Sequence, residues 1–400
     1  MILASFGTFD VKNYGDSLFP IIVDHELGPI FTEVIHVSPV GGQAYKDVPP
    51  SVSVKQFRDE QRKVDAVIVA GGNILHARRT PLPDYKSVHR TAYASLWAGA
   101  AKVAAQNNAP LIINSPGIPK QTGLLTGSIM QMVFRQAQYA SVRDNQSLQN
   151  LSDNKSMARV VPDTALLLRD ALGSKVQKGN TREIAVHVND RYASSDLAQI
   201  ASTLDKLSDA LELRVHLIGI GACHGDNHLA KSISSHMTTD HSVTADPETV
   251  TEVAQIIASA SLYVGSSLHG FITACSYGVP AIIVADDSQQ HKFDGLLGQL
   301  FARRRIIPSW DLVLEEVISS SNAAEQESNI FKNSVNIEGC RTNIREHWQS
   351  ITSVLSGPSA VTSDAIRYIP YPSRVVAASN IMEQIPGRVG ARVRRIEIKR

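Results

Sequence analysis

The stretch from Leu262 to Val284, Leu-Tyr-Val-Gly-Ser-Ser-Leu-His-Gly-Phe-Ile-Thr-Ala-Cys-Ser-Tyr-Gly-Val-Pro-Ala-Ile-Ile-Val, constrains the fold of this chain more than any other. An apolar run ends at Gly265, a polar turn carries Ser266, Ser267 and His269, a small-residue helix follows, and a second apolar run starts at Val279. Strand, loop, helix and strand in that order make a parallel pair with a crossover helix. The loop between such a strand and its helix offers free N–H groups and the positive end of a helix dipole, where anions bind. His269 falls in that loop. On pattern alone it is read either as a functional group or as a structural histidine holding the turn.

The same alternation runs through the rest of the chain. Ile2–Phe6 reads as a buried strand, Gly7 to Asp16 as its loop and Leu18 to Leu27 as a helix, with Asn13-Tyr-Gly-Asp16 supplying turn residues. Val64–Ala70 is a second strand, followed by Gly71-Gly72-Asn73, where two glycines let backbone approach backbone or a ligand. Tyr93 to Ala105 reads as a helix, Pro110 to Ser115 as a strand, Phe134 to Ala140 as a helix, Ser141 to Ser147 as a short strand running into a helix start, Ala158 to Asp163 as a strand stub and Ile306 to Ile318 as a further strand and helix. Arg143 lies in that turn. It is read as a bidentate anion ligand or, equally, as a salt bridge to Asp144 or Asp163.

Arg169 to Arg182 is the best linker, and after it the pattern restarts with Glu183–Val188, a helix at Leu197 to Leu211 and a strand at Leu213 to Gly219. The expected organisation is therefore α/β, with two Rossmann-like domains facing each other. Residues 1–172 form the first and 173–335 the second. A helix at 336–356 packs back on the first domain, and 357–400 is a basic tail. The 400 residues suffice for two cores.

Composition limits the class further. The net charge of +1 gives no global pointer to nucleic acid. Three dispersed cysteines suit a reducing compartment, no apolar run reaches about 18 residues, and the first residues lack a signal-peptide pattern. A cytoplasmic location follows as the expectation. The segment Arg388 to Arg400 has six basic residues against one acid, and is read as solvated chain or as a peripheral contact with anionic lipid on the inner membrane face. Cys223-His-Gly-Asp-Asn-His228 contains metal-ligand types, but no second cluster completes a tetrahedron. Lys292, in the polar loop after Val284, is within reach of the strand ends or is ordinary surface.

Taken in order, Asn13-Tyr-Gly-Asp16, Gly71-Gly-Asn-Ile-Leu75, Ser115-Pro-Gly-Ile118, Ser141 to Ser147, Pro162-Asp163, the His224-Gly-Asp-Asn227 loop, Gly265-Ser-Ser-Leu-His-Gly270 and Lys292 resemble the polysaccharide pyruvyl transferase family. The resemblance implies a GT-B-like fold and transfer of the enolpyruvyl group of phosphoenolpyruvate onto two sugar hydroxyls, giving a pyruvate ketal and phosphate. It implies no cofactor and no metal, only phosphoenolpyruvate as donor and a sugar acceptor in a polysaccharide or lipid-linked oligosaccharide. Arg143, Lys292, Ser266, Ser267 and the helix start at Leu268 to Gly270 would bind the donor's anionic groups, and Asn13, Gly71, Gly72 and Asn73 would complete the substrate site. His269 would protonate the methylene carbon, its ordinary pKa of about 6.5 lying near working pH. Asp16, His187 or Asp163 would take a hydroxyl proton. Many members carry arginine where this chain has Ser267, which removes a fixed positive charge from the donor side. Two other classes remain open at this stage. One is a glycosyltransferase of the same fold using a nucleotide sugar, with Asp246 or Glu248 gripping a ribose, and the other is a scaffold in polysaccharide assembly.

Overall fold

The structure, a computed structural model, describes residues 1–121, 123–151, 158–189, 196–287, 290–302, 305–322 and 336–357, together with 372–373 and 375–376. The first domain holds strands β1 (Ile2–Phe6), β2 (Glu33–Ser38), β3 (Ser51–Ser53), β4 (Ala66–Val69), β5 (Leu111–Ile113), β6 (Tyr139–Val142) and β7 (Arg159–Val160). They form one sheet in the order β3-β2-β1-β4-β5-β6-β7. The second holds β8 (Glu183–His187), β9 (Arg214–Ile218), β10 (His241–Thr244), β11 (Leu262–Gly265), β12 (Ala281–Val284) and β13 (Ile306–Ile307), in the order β10-β9-β8-β11-β12-β13. Every pairing in both sheets is parallel. Helices cover both faces of such sheets, so the central strands are apolar throughout: Ala66–Val69, Leu262–Gly265 and Ala281–Val284 are buried at every residue.

The strand orders place the chemistry. In the first sheet the order reverses between β1 and β4, and in the second between β8 and β11. The loops leaving those four strands open a crevice at the carboxyl edge of each sheet, the usual ligand position in open α/β sheets. Asn13 and Asp16 follow β1, Gly71 to Asn73 follow β4, Asn189 follows β8, and Ser266 to His269 follow β11.

The two domains are joined by more than their linker. One continuous apolar cluster contains Leu3, Tyr14 and Phe19 of the first domain, Tyr263, Phe271 and Ile272 of the second, and Trp348 of the final helix. The Tyr14 hydroxyl meets Thr273 Oγ1 at 2.8 Å, and Tyr14 N–H donates to the Ile220 carbonyl at 2.8 Å. Asp47 of the first domain caps the second-domain helix Val250–Ser259, accepting from Val250 N–H at 2.7 Å and from Thr251 N–H at 2.8 Å. The helix Ile337–Ser356 lies against the first domain, where His347 bonds the Tyr139 hydroxyl at 2.8 Å and Asn114 Oδ1 at 2.7 Å.

Several elements differ from the sequence reading. The first helix begins at Tyr14, because Asn13 Oδ1 accepts the Gly15 N–H and caps it, so Asp16 sits in the first helical turn and not in the loop. β2, β3 and β10 are additional strands, and the helix expected over Phe134 to Ala140 spans Leu124–Gln136 instead, so that Tyr139 and Ala140 belong to β6. Among the described residues no helix is long and apolar enough to cross a membrane. Most of the basic tail, including Arg388 to Arg400, lies outside the described residues. Val375 and Val376 are buried in the first domain's core.

Replacing Asp47 by alanine leaves two helix-start N–H groups without their acceptor across the domain junction. The expected cost is about 1–3 kcal/mol, read as a lowered thermal-unfolding midpoint. An unchanged midpoint would mean that water replaces the carboxylate at no cost.

Candidate active site

Two helix N-termini, one from each domain, meet at the centre of the crevice. Ser267 caps the helix Leu268–Ser276, its Oγ accepting the Gly270 N–H at 3.2 Å, and this orients His269 toward the first domain. The facing residue is Gly15. A β-carbon there would stand 2.1 Å from His269 Nδ1, so the ring packs directly on the backbone of the opposing helix. Phe19, one turn further along, meets the imidazole edge-to-face at 5.7 Å between centroids. Asp163 Oδ2 lies 3.4 Å from His269 Nε2.

Two carboxylates flank this histidine, Asp163 buried and Asp16 half-buried on the cleft, and they are pushed in opposite directions. Burial raises the Asp16 carboxyl to about 6, only partly offset by His269 and by a hydrogen bond from Thr8. Burial also works against ionisation of Asp163. There the charge of the His269 imidazole 3.4 Å away, the Arg143 guanidinium and the Ala165 N–H outweigh it, and the carboxyl is held below the usual range. One carboxyl is thus poised to exchange protons near neutrality while the other stays ionised.

The glycine loops bring the remaining groups in. Gly71 and Gly72 adopt positive φ of 110° and 83°, a backbone that side chains rarely take. A β-carbon on Gly71 would meet the Phe19 ring at 2.7 Å, and one on Gly72 would come 3.3 Å from Asp16 Oδ1. Gly117 sits where a β-carbon would fall 2.6 Å from Asn73 Oδ1 and 2.8 Å from Arg143 Nε, so Asn73 and Arg143 are neighbours across it. Arg143 Nε pairs with Asp144 at 3.2 Å, and the same guanidinium acts on Asp163 through charge. His187 Nε2 bonds Asp226 Oδ2 at 2.7 Å, and Asn189 donates to the other oxygen of Asp226 at 2.8 Å.

Together these residues enclose a cleft of about 500 Å³. Asn13, Asp16, Asn73 and Arg143 line it from the first domain, and His187, Ser266, Ser267 and His269 from the second. Asp163 stands one layer behind, with Arg143 and Leu268 around a smaller cavity. The buried Ser266 hydroxyl has no hydrogen-bond partner among the described residues. Gly270 is buried and its N–H is occupied by the Ser267 cap. Lys292 belongs to the helix His291–Gln299, but its side chain lies outside the described residues.

Sequence reasoning passed over several lining residues: Thr8, His76, Arg78, Arg79 and Tyr93. The signal for the arginines was present, since they continue the loop that starts at Gly71-Gly72-Asn73. The Cys223 to His228 loop lends the site Asp226, which orients His187. Asp246 and Glu248 are engaged elsewhere, in ion pairs across the domain junction with Lys12 and Lys46.

A family model described as polysaccharide pyruvyl transferase matches residues 13–288, which include the loops after β4, β8 and β11 and the helix start after β1. Among solved structures the chain is similar to a protein assigned as a UDP-N-acetylglucosamine 2-epimerase from Listeria monocytogenes, with 13% identity, TM-score 0.55, and coverage of 88% of this chain and 95% of that one. It is also similar to the UDP-GlcNAc 2-epimerase of Neisseria meningitidis bound to UDP-GlcNAc, with 12% identity, TM-score 0.54, and coverage of 88% and 99%. At such identity the likeness carries the fold, a GT-B-like pair of Rossmann-like domains. No curated protein matches the sequence significantly.

Gly15→Ala tests the packing of the histidine. Its β-carbon collides with the imidazole, so the expected outcome is overpacking of about 1–3 kcal/mol in thermal unfolding. A structure of the variant should show the ring moved off Asp163. An unmoved ring with wild-type stability would remove the steric role given to Gly15.

Proposed function

We propose that this chain, which belongs to the polysaccharide pyruvyl transferase family, moves the enolpyruvyl group of phosphoenolpyruvate onto two hydroxyls of a sugar in a polysaccharide or lipid-linked oligosaccharide, leaving a pyruvate ketal and phosphate. The observation that carries the reading is His269 set in the cleft beside two carboxyls, Asp163 at 3.4 Å from its Nε2 and Asp16 on the cleft wall, whose surroundings push them in opposite directions. Ketal formation needs such a set. The methylene carbon gains a proton, two hydroxyls lose theirs, the departing phosphate carries the second proton away, and an oxocarbenium-like centre forms between these events.

His269 donates the proton to the methylene carbon. Asp163 is its orienting partner and stabilises the imidazolium as Coulomb's law requires of a buried carboxylate beside it. Asp16 is the preferred base for the attacking hydroxyl, because burial brings its carboxyl to about 6 while Asp163 is committed to His269 and His187 to Asp226. Asn13 and Asn73 line the acceptor side, and the buried Gly71 and Gly72 set the turn that presents Asn73. Arg143, Ser266, Ser267, Lys292 and the helix start at Leu268 and His269 take the donor's anionic groups, with Ser267 serving as helix cap and occupying the Gly270 N–H, where many relatives offer arginine. The direct experiment is incubation with phosphoenolpyruvate and a panel of sugar glycosides, following phosphate release and an acid-labile mass gain on one sugar. Consumption of a nucleotide sugar in place of phosphoenolpyruvate would reject the reading.

Three outcomes are expected. His269→Ala folds and loses turnover by about 10²–10⁴-fold, and near-normal transfer would remove it from the mechanism. Arg143→Ala raises the half-saturating phosphoenolpyruvate concentration, whereas an unchanged value would leave it a structural pair of Asp144. A base works when deprotonated, so the rate should fall as pH drops through about 6, the value to which burial raises Asp16. Asp16→Asn should abolish turnover and with it that limb, while an acid limb that persists in an active Asp16→Asn variant would assign it to another group.

A further inference from the structure

The loop that continues from Asn73 to Leu82 carries a feature the acid–base set does not use. Ile74, Leu75, Ala77, Thr80 and Leu82 are buried, while Arg78 and Arg79 are exposed on the cleft. The backbone beside the two arginines is fixed. Trp97 Nε1–H donates to the His76 carbonyl at 3.0 Å, Arg78 N–H donates to His76 Nδ1 at 3.2 Å, and Thr80 N–H donates to the His89 carbonyl at 3.0 Å. The His76 ring lies on Tyr93 at 4.1 Å between centroids, and burial lowers its pKa to about 4, so it is neutral and its Nδ1 can accept.

Neither guanidinium has an ion-pair partner among the described residues. The carboxylates of the cleft are spoken for: both oxygens of Asp226 are bonded, by His187 and Asn189, and Asp16 is held against Thr8 and His269. The second-domain side of the cleft presents the Ser266 and Ser267 hydroxyls, and its carboxylate, Asp226, is already bonded. Two guanidinium forks from consecutive residues of an anchored loop, lining one cleft without an ion-pair partner among the described residues, match a dianionic tetrahedral oxyanion better than they match a neutral sugar.

We propose that Arg78 and Arg79 are a phosphate-binding pair, receiving the phosphoryl group of a ligand whose reacting centre lies at His269. They supply the charge that Ser267 does not. The phosphoryl group belongs to phosphoenolpyruvate or to a phosphorylated acceptor, and the assignment of its source rests on the transferase reading above. Phosphate binding itself does not.

The test uses the full chain, with R78Q/R79Q as the variant and R90Q, an exposed arginine outside the cleft, as the control. Calorimetric titration with inorganic phosphate should show binding weakened at least about tenfold in the double variant, with a reduced salt dependence, and unchanged in R90Q. Equal binding by the double variant and wild type, or no binding by wild type, overturns the pair. In steady state, a raised half-saturating phosphoenolpyruvate concentration alone places the pair on the donor, and a raised acceptor value alone places it on a phosphorylated acceptor. If both values are unchanged in an active double variant, the pair is wrong and the transferase reading stands. If wild type binds phosphate through the pair but consumes no phosphoenolpyruvate with any sugar, the pair stands and the transferase reading falls.

Discussion

The contact between Gly15 and His269 is the constraint on which the site depends. Two helices from different domains point their N-termini at one another, and they can do so only because one of them offers bare backbone. A β-carbon at Gly15 would occupy the space of the imidazole, 2.1 Å from Nδ1. With the glycine in place, the ring is held on one side by backbone, at its edge by Phe19 and at Nε2 by Asp163. Neither domain alone contains this arrangement. The acid–base set is a property of the interface, and the shared apolar cluster through Tyr14, Phe271 and Trp348 keeps that interface in register.

The electrostatics follow from the same closeness. Asp163 is buried and Asp16 half-buried, and loss of water by itself would raise both carboxyls. They part because Asp163 collects an imidazole, a guanidinium and a backbone N–H, whereas Asp16 sets His269 and Thr8 against desolvation and against the like charges of Asp10 and Asp163. Position in the fold produces this difference. Asp163 lies at the end of the first domain's last strand, in reach of the second domain, and Asp16 lies in the helical turn that the domain junction covers. Parallel sheets deliver these loops to one edge, and the reversal of strand order between β1 and β4 and between β8 and β11 opens the space into which they project.

The two-sheet plan was legible because its central strands are unbroken apolar runs bounded by glycine and polar turns, as at Ala66–Val69 and Leu262–Gly265. The edge strands β3 and β10 were not. β10 is His-Ser-Val-Thr and only half-buried, and β3 is three residues long, so neither leaves a hydrophobic signature. The helix Leu124–Gln136 reads too late in the chain, at Phe134 to Ala140, because Gly127 and Ser128 obscure its first turns. The motif residues Asn13, Asp16, Asn73, Arg143, Ser266, Ser267 and His269 could be picked out individually as polar groups at strand ends. That His269 rests on Gly15, and that Asn73 and Arg143 meet across Gly117, could not be read from sequence, because these contacts join segments far apart in the chain. Gly15 in particular reads as a turn residue from its neighbours Asn13 and Asp16, yet it lies inside the helix and its smallness serves the neighbouring domain.

The central claim is that a proton passes to the methylene carbon of phosphoenolpyruvate as the sugar hydroxyl attacks, within a site that the two domains assemble together. Running the reaction in deuterium oxide and recording the product by NMR addresses this most directly. The account predicts a ketal whose methyl group carries a single deuteron, formed together with free phosphate. A product that retains an intact methylene as an enol ether, or a methyl group without deuterium, would contradict it.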